Sequence, residues 1–157
     1  MVFHLAGQAY ALDLGEVQEI VMMAALSRPP GLPSVLEGFL NLAGTVVSVI
    51  RLDRLFRLRE RTPGMFTPLV ILRNPDHHVA LMVDHVIEIV QVPEGAVAPV
   101  RENQAFNDCA EGVARVHDRV VLLLSAGRIL LEKEAQSFAE FESIERERLL
   151  ALELDAP

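Results

Sequence analysis

Short apolar runs separated by turn residues fill most of the first 130 positions, and this pattern predicts a series of strands. Residues 45–50 are rich in Val, Ile and Thr, which is typical of a strand that is buried over most of its length. Ala43-Gly44 precedes this run, and glycine can take the positive φ that a tight hairpin needs. Leu52, Leu55 and Phe56 then follow at helical spacing. The stretch predicts a hairpin followed by one or two helical turns.

Similar runs lie on both sides of this hairpin. We predict strands at residues 3–6, 9–14, 17–23, 68–72, 79–83, 86–92, 110–116 and 120–124, and a second short helix at 127–131. The segment 59–67 is charged and contains Pro63-Gly64, a turn pair. We expect this segment to be the main internal boundary.

The order of these elements repeats. Residues 10–21 and 79–90 are identical at six of twelve positions, and a second alignment places Gly38 on Gly112 and Arg54 on Arg128. The offsets are 69 (79 − 10) and 74 (112 − 38), so five extra residues fall in the second half. Each half therefore predicts five strands and a short helix. Such strands close economically into small barrels, so we predict an all-β fold of two packed barrels.

The composition changes from Glu134 onward. Apolar residues recur there at helical spacing among Glu and Arg, namely Phe138, Phe141, Ile144, Leu149 and Leu152. We therefore predict one domain over residues 1–134, made of two interleaved barrel halves with a boundary near 59–67, and a C-terminal amphipathic helix over residues 135–157.

Composition and charge limit the classes of function. The 157 residues are 51% hydrophobic, yet no apolar run reaches the roughly 18 residues that span a bilayer. The net charge of −8 argues against nucleic acid as a partner, because that binding rests on neutralised phosphates. A single cysteine, Cys109, and an amino terminus without a positively charged region predict a cytoplasmic protein that is not inserted in a membrane.

No catalytic constellation stands out in the sequence. His77, His78 and His85 lie near Asp76, but the first two share a predicted turn in which adjacent side chains diverge, so a solvated turn is favoured over a metal site. Cys109 has no base that the sequence identifies, and phosphate-binding glycine loops are absent. We predict no enzymatic activity, no cofactor and no metal.

Two glutamates, Glu19 and Glu88, interrupt apolar strands at matching places in the two halves, each as Val-x-Glu-Ile-Val. A strand with one solvated face explains both carboxylates. A protein contact centred on apolar residues, with a charge for specificity, would explain them too. Both interpretations stay open at this point.

Several short segments, taken in their order and spacing, carry a resemblance to a known family. They are residues 17–20 (Val-Gln-Glu-Ile), 32–33 (Leu-Pro), 38–42 (Gly-Phe-Leu-Asn-Leu) with Gly44, 46–47 and 49–50, 79–84 with Val86, and 111–114 (Glu-Gly-Val-Ala). From about residue 3 to residue 131, the chain resembles the CheW-like domain of bacterial chemosensory systems.

This resemblance implies two five-stranded SH3-like barrels and a non-enzymatic adaptor that couples chemoreceptors to the histidine kinase CheA. The surface that meets the regulatory domain of the kinase would contain Val17, Glu19, Ile20, Ala43 and Gly44. A groove between the barrels would meet the cytoplasmic tip of a methyl-accepting chemoreceptor, and its expected lining is Leu40, Leu42, Val83 and Val86. The adaptor would be cytoplasmic and peripheral to membrane receptor arrays.

The chain departs from the family pattern at three positions. Ala43 stands where the family usually has arginine, and Ser48 and Arg51 replace the usual proline and acid. Because arginine is a typical interface anchor, its loss predicts poor coupling to a standard kinase and receptor, or a different partner. Two alternatives stay open: an adaptor of a pathway other than motility with a dedicated partner, and a small-ligand-binding β-barrel. A ligand barrel would call for stacking aromatics, and the chain has no Trp and one Tyr.

Overall fold

The computed structural model describes residues 1–99 and 109–134, and these residues form two five-stranded sheets. The strands are β1 (Val2–Leu5), β2 (Gln8–Ala11), β3 (Val17–Met22), β4 (Leu36–Leu42), β5 (Thr45–Arg51), β6 (Pro68–Leu72), β7 (Val79–Met82), β8 (His85–Glu88), β9 (Ala110–Val116) and β10 (Arg119–Leu124). One sheet has the order β3-β6-β7-β5-β4 and is called the central barrel here. The other has the order β8-β1-β2-β10-β9 and is called the terminal barrel. The predicted all-β fold of two five-stranded barrels is confirmed.

The sequence repeat and the two barrels divide the chain differently. β2 lies parallel to β10, and β7 lies parallel to β5, so each barrel combines strands of both halves. The pairing follows the repeat: Tyr10 lies opposite Leu122, and its counterpart at residue 79 (10 + 69) lies opposite Ser48, the counterpart of Leu122 (48 + 74). The segment 59–67 therefore separates the halves of the repeat but not the two barrels.

Matching hairpin turns join the last two strands of each half of the repeat. Ala43 and Gly44 link β4 to β5 with φ angles of 49° and 88°. Their repeat counterparts, His117 and Asp118, link β9 to β10 with φ angles of 47° and 62°. Positive φ angles at both central residues are typical of the two-residue turn that matches the twist of a hairpin. The predicted turn at Ala43-Gly44 is therefore confirmed.

A loop crosses a glycine to close each barrel. Ser27 pairs with Phe39 in the central barrel, and Ala98 pairs with Val113 in the terminal barrel. A Cβ on Gly38 would lie 2.8 Å from the carbonyl oxygen of Ser27, and one on Gly112 would lie 2.6 Å from a methyl carbon of Val97. Only glycine admits these crossings without displacement of a neighbour, which explains why the repeat places glycine at both positions.

The largest hydrophobic core lies between the two barrels and not inside either one. It contains fully buried side chains from both sheets, from the short helix α1 (Leu52–Leu55) and from the helix at residues 126–134. Among them are Phe3, Tyr10, Ile50, Leu55, Leu81, Leu124 and Ile129. The aromatic rings of Phe3 and Tyr10 stack with their centroids 5.9 Å apart. The interior of each barrel forms a smaller separate cluster. A core shared in this way favours one cooperative unit.

Helices and strand ends differ in places from the prediction. Leu52, Leu55 and Phe56 are buried by α1 as expected, and the second helix is longer than expected, with residues 126–134 helical. The predicted amphipathic helix within 135–157 lies outside the described residues. The second strand ends at Ala11, because the Asp13 side chain accepts a hydrogen bond from Gly15 N (2.9 Å) and starts a 3-10 turn. Strand β8 ends at Glu88, where its partner β1 begins at Val2.

Candidate protein-interaction surfaces

Four of the five residues predicted to meet a kinase lie on the surface of the central barrel. Glu19 and Ile20 are exposed on β3, and Ala43 and Gly44 are exposed in the turn between β4 and β5. Val17 is different, because it is buried in the core between the barrels. Val17 can therefore position β3 but offers little area to a partner.

A depression of about 270 Å³ brings Glu19 and Ala43 together from distant parts of the chain. Buried Val47 and Ile71 contribute to its lining. The Glu19 carboxylate accepts one long hydrogen bond, from Gln18 Nε2 at 3.4 Å. Within residues 1–99 and 109–134, no cationic side chain forms an ion pair with Glu19. The depression thus combines an apolar floor with a carboxylate that the described fold leaves uncompensated.

The structure distributes the four residues of the predicted receptor groove over two clusters. Leu40 is buried inside the central barrel, and Leu42 packs against the same cluster. Val83 is 1% exposed in the core between the barrels, and Val86 packs against that core while remaining partly exposed. Of the four, Leu42 and Val86 retain surface that a partner could contact.

A groove between the barrels does exist, and it is lined mainly by residues that the sequence did not single out. It has a volume of about 370 Å³ and lies where the segment 61–67 passes Met82, Asp84 and His85. Met65 and Phe66 are 72% and 76% exposed there. Segment 59–67 was predicted only as a boundary, so this apolar surface was not expected. Two large apolar residues directly after a Pro-Gly turn could have indicated it.

The terminal barrel carries a depression of about 340 Å³ beside β1, β8 and the β9–β10 turn. In it, Glu88 Oε1 lies 3.3 Å from His117 Nε2. Arg119 Nη1 lies 3.0 Å from His4 Nε2. Burial, followed by the positive charges of Arg119 and His85, lowers the pKa of His4, and Asp84 opposes this shift. Glu88 therefore has a cationic partner within its own barrel whenever His117 is protonated.

Arg51, one of the three departures from the family pattern, is almost fully buried and does not reach a partner surface. Its guanidinium donates two hydrogen bonds to the Asp53 carboxylate, at 2.9 and 3.2 Å, and another to the carbonyl of Arg61 at 3.0 Å. Glu37 lies 3.4 Å away. Burial lowers the pKa of Arg51, but the hydrogen bonds and charges of the acids outweigh it and raise that pKa. Arg51 anchors the segment after α1, so it does not replace an arginine at position 43.

Possible reaction chemistry is confined to isolated groups. In the described part of the chain, no three His, Cys, Asp or Glu residues are grouped so that they could hold a metal ion. Cys109 is fully buried and takes the place of Val35 in the repeat (35 + 74), with each accepting a backbone hydrogen bond from its own half, at 2.8 and 2.7 Å. Its position is that of a small packing residue.

None of the helices in the described residues has the length and apolar character that crossing a bilayer requires.

Comparisons with known proteins agree with this architecture. The model of the CheW-like domain family matches residues 1–134. The chemotaxis protein CheW of Helicobacter pylori is 26% identical over 129 residues, covering 82% of this chain and 78% of that protein. The chemotaxis protein CheW of Bacillus subtilis is 26% identical over 139 residues, covering 87% and 89%. The crystal structure of the scaffolding protein TtCheW from Thermoanaerobacter tengcongensis superimposes with a TM-score of 0.73 at 27% identity, over 80% of this chain and 82% of that one.

These matches cover most of each chain and carry the same two-barrel fold, so a small-ligand-binding barrel is not favoured. They agree with the absence of a metal-ligand group in the described residues. The chain belongs to the CheW-like domain family, and it is a chemotaxis coupling adaptor.

Proposed function

We propose that this adaptor joins the regulatory domain of a CheA-type histidine kinase to the cytoplasmic tip of a methyl-accepting chemoreceptor. It catalyses no reaction itself, needs no cofactor, and works in the cytoplasm beside receptor arrays. The observation that carries the proposal is the depression on the central barrel, where the exposed residues Glu19 and Ala43 border an apolar floor.

The kinase contact lies on the face of the central barrel that carries this depression. Glu19 and Ala43 are exposed where they line the depression, which has an apolar floor. Ile20 is 43% exposed, but it follows Glu19 in the strand and therefore lies on the other side of β3. Interfaces combine an apolar centre with a few charges that fix orientation, and this face supplies both in a small area. Ala43 and Gly44 form a tight turn at the edge of the depression, and neither has a long side chain. A strand or loop of the partner can therefore approach the depression closely.

The receptor contact lies in the groove between the barrels. Met65 and Phe66 present exposed apolar surface there, and His85 lines the same groove from β8. A receptor tip is a helical hairpin by family resemblance, and a helix binds a groove through apolar side chains on one face. Methionine suits such a surface because its flexible side chain adapts to different partners.

Reconstitution of kinase signalling tests this proposal. The purified chain is mixed with the CheA-type kinase and a receptor fragment from the same cell, and kinase autophosphorylation is measured. We expect receptor control of the kinase only when the adaptor is present, and Phe66→Ala to weaken receptor capture while kinase binding persists. Equal receptor control with and without the adaptor would refute the proposed role.

A further inference from the structure

The depressions on the two barrels are repeat counterparts of one another. Nine residues line each of them, and eight of the nine correspond through the offsets of 69 and 74. Val47 corresponds to Val121 in the two linings, and Glu19 corresponds to Glu88 (19 + 69). The two depressions therefore occupy equivalent places in the two barrels, and most of the differences between them lie in a few side chains.

The main difference is the partner of the carboxylate. His117 faces Glu88 at 3.3 Å in the terminal barrel. Ala43 occupies the corresponding place in the central barrel (43 + 74 = 117), and a methyl group cannot balance a charge. Arg119 likewise corresponds to Thr45. The terminal depression holds its own cationic groups, whereas the central depression has lost both of these.

His78 also lines the central depression, in the place of Ala9 (9 + 69). It forms no ion pair with Glu19 in the described structure. It adds a polar ring to the lining of the depression.

We propose that the partner of the central barrel inserts an arginine side chain above Ala43, so that its guanidinium pairs with the Glu19 carboxylate. The partner thus places a cation beside Glu19 at the position that the His117 ring holds beside Glu88 within the terminal barrel. This inference rests on the proposed function, because the partner is the regulatory domain of the CheA-type kinase, and it adds the chemistry by which that domain is recognised.

The lining favours arginine over lysine. Val47 and Ile71 are buried and apolar, and Leu42 adds a partly exposed aliphatic wall. A guanidinium is more weakly hydrated than an ammonium group, and it binds a carboxylate through two parallel hydrogen bonds. Its aliphatic stem can lie along the apolar floor while the head reaches Glu19.

Calorimetry with the purified regulatory domain of the kinase from the same cell tests the inference. Ala43→Arg places a guanidinium within the chain, where it occupies the space and repels an incoming cation. We expect it to weaken binding at least about tenfold, and Glu19→Gln to weaken binding to a similar extent and to reduce its dependence on salt.

The matched control is Val46→Arg, which adds the same charge in the same hairpin. Val46 is 64% exposed on the opposite side of β5 and does not line the depression. Its variant should bind like the wild type. Substitution of each surface arginine of the kinase domain by alanine then identifies the inserted residue, because that variant should lose no further affinity with Glu19→Gln.

The outcomes separate the two proposals. Absence of binding by the wild type would overturn the proposed function. Binding by the wild type, with Ala43→Arg and Glu19→Gln both unchanged, would overturn the inserted arginine and leave the adaptor role in place. Tighter binding by Ala43→Arg would also overturn the inserted arginine, because it would show that the partner carries an acid at this place.

Discussion

The central and terminal barrels share one plan, yet their interiors are filled by side chains of different size. Leu40, inside the central barrel, corresponds to Ala114 in the terminal barrel (40 + 74), and Ile71 corresponds to Val2 (2 + 69). Met82 corresponds to Asp13, which is exposed and starts a turn. The terminal barrel therefore has less apolar volume of its own, and it depends more on the core shared with its neighbour.

The surfaces of the two barrels differ in how their charged side chains are paired, and here the terminal barrel is the more complete. The terminal barrel pairs Glu88 with His117 and places Arg119 beside His4, whereas the central barrel leaves Glu19 beside a methyl group. A well-filled barrel can present an uncompensated charge because its own interior stabilises it. We infer that the repeat has divided two tasks: the central barrel offers a rigid contact face, and the terminal barrel is more self-contained on its surface.

The largest expected effect concerns the end of the last strand in each half of the repeat, which is β5 in the first half and β10 in the second. Arg51 and Asp53 form a buried ion pair after β5, and their counterparts after β10 are Ser125 and Gly127. Arg51→Ala leaves the Asp53 carboxylate buried without its partner, so we expect a loss of about 3–5 kcal/mol in the free energy of unfolding. Ser125→Ala removes only a helix cap, and we expect about 1 kcal/mol. Urea denaturation measures both; equal losses would refute the asymmetry.

The next effect distinguishes the two glycine crossings. In Gly38→Ala the new methyl group meets the backbone carbonyl of Ser27 at 2.8 Å, so the bridge between Ser27 and Phe39 must open. We expect a loss of about 2–3 kcal/mol. In Gly112→Ala the nearest atom belongs to the Val97 side chain, which can move, and we expect about 1 kcal/mol. Thermal unfolding ranks the two variants. A larger loss in Gly112→Ala would contradict this comparison.

A smaller effect depends on pH and belongs to the terminal barrel. Burial, Arg119 and His85 lower the pKa of His4 below its ordinary value of 6.5, so the unfolded chain binds the proton more tightly. The stabilising contribution of neutral His4 is present above pH 6.5 and is lost as the pH falls below it. We expect His4→Gln to flatten the fall in melting temperature between pH 7 and pH 5. The control His77→Gln, in an exposed turn, should retain it.

Much of this fold could be predicted from the sequence because its information is local. The turn at Ala43-Gly44 and the helical spacing of Leu52 and Leu55 each describe a few neighbouring residues, and the structure confirms them. The repeat added long-range information, since its offsets give the strand register between Tyr10 and Leu122. The two barrel halves were predicted to be interleaved, but the hydrophobic pattern alone does not say which strands are exchanged, because either half could have closed on itself with the same pattern.

The sites were harder to predict because they depend on which face a side chain occupies. Glu19 is exposed, as expected, since a carboxylate in an apolar strand must reach solvent. Val83 was assigned to a groove by resemblance, but its side chain is buried in the core between the barrels. The pairing of Glu88 with His117 joins residues that are 29 positions apart (117 − 88). The sequence pattern around either residue does not indicate this contact.

The most direct test of the central claim is the binding of the regulatory domain of the kinase to the central barrel. Calorimetry compares the wild type with Glu19→Lys and with Glu94→Lys, which reverses an exposed carboxylate in a loop of the terminal barrel. We expect Glu19→Lys to weaken binding by about 1–3 kcal/mol, because it reverses a charge within the contact, and to leave the melting temperature unchanged. Glu94→Lys should bind like the wild type. Equal affinity of the wild type and Glu19→Lys would show that the kinase does not use this face.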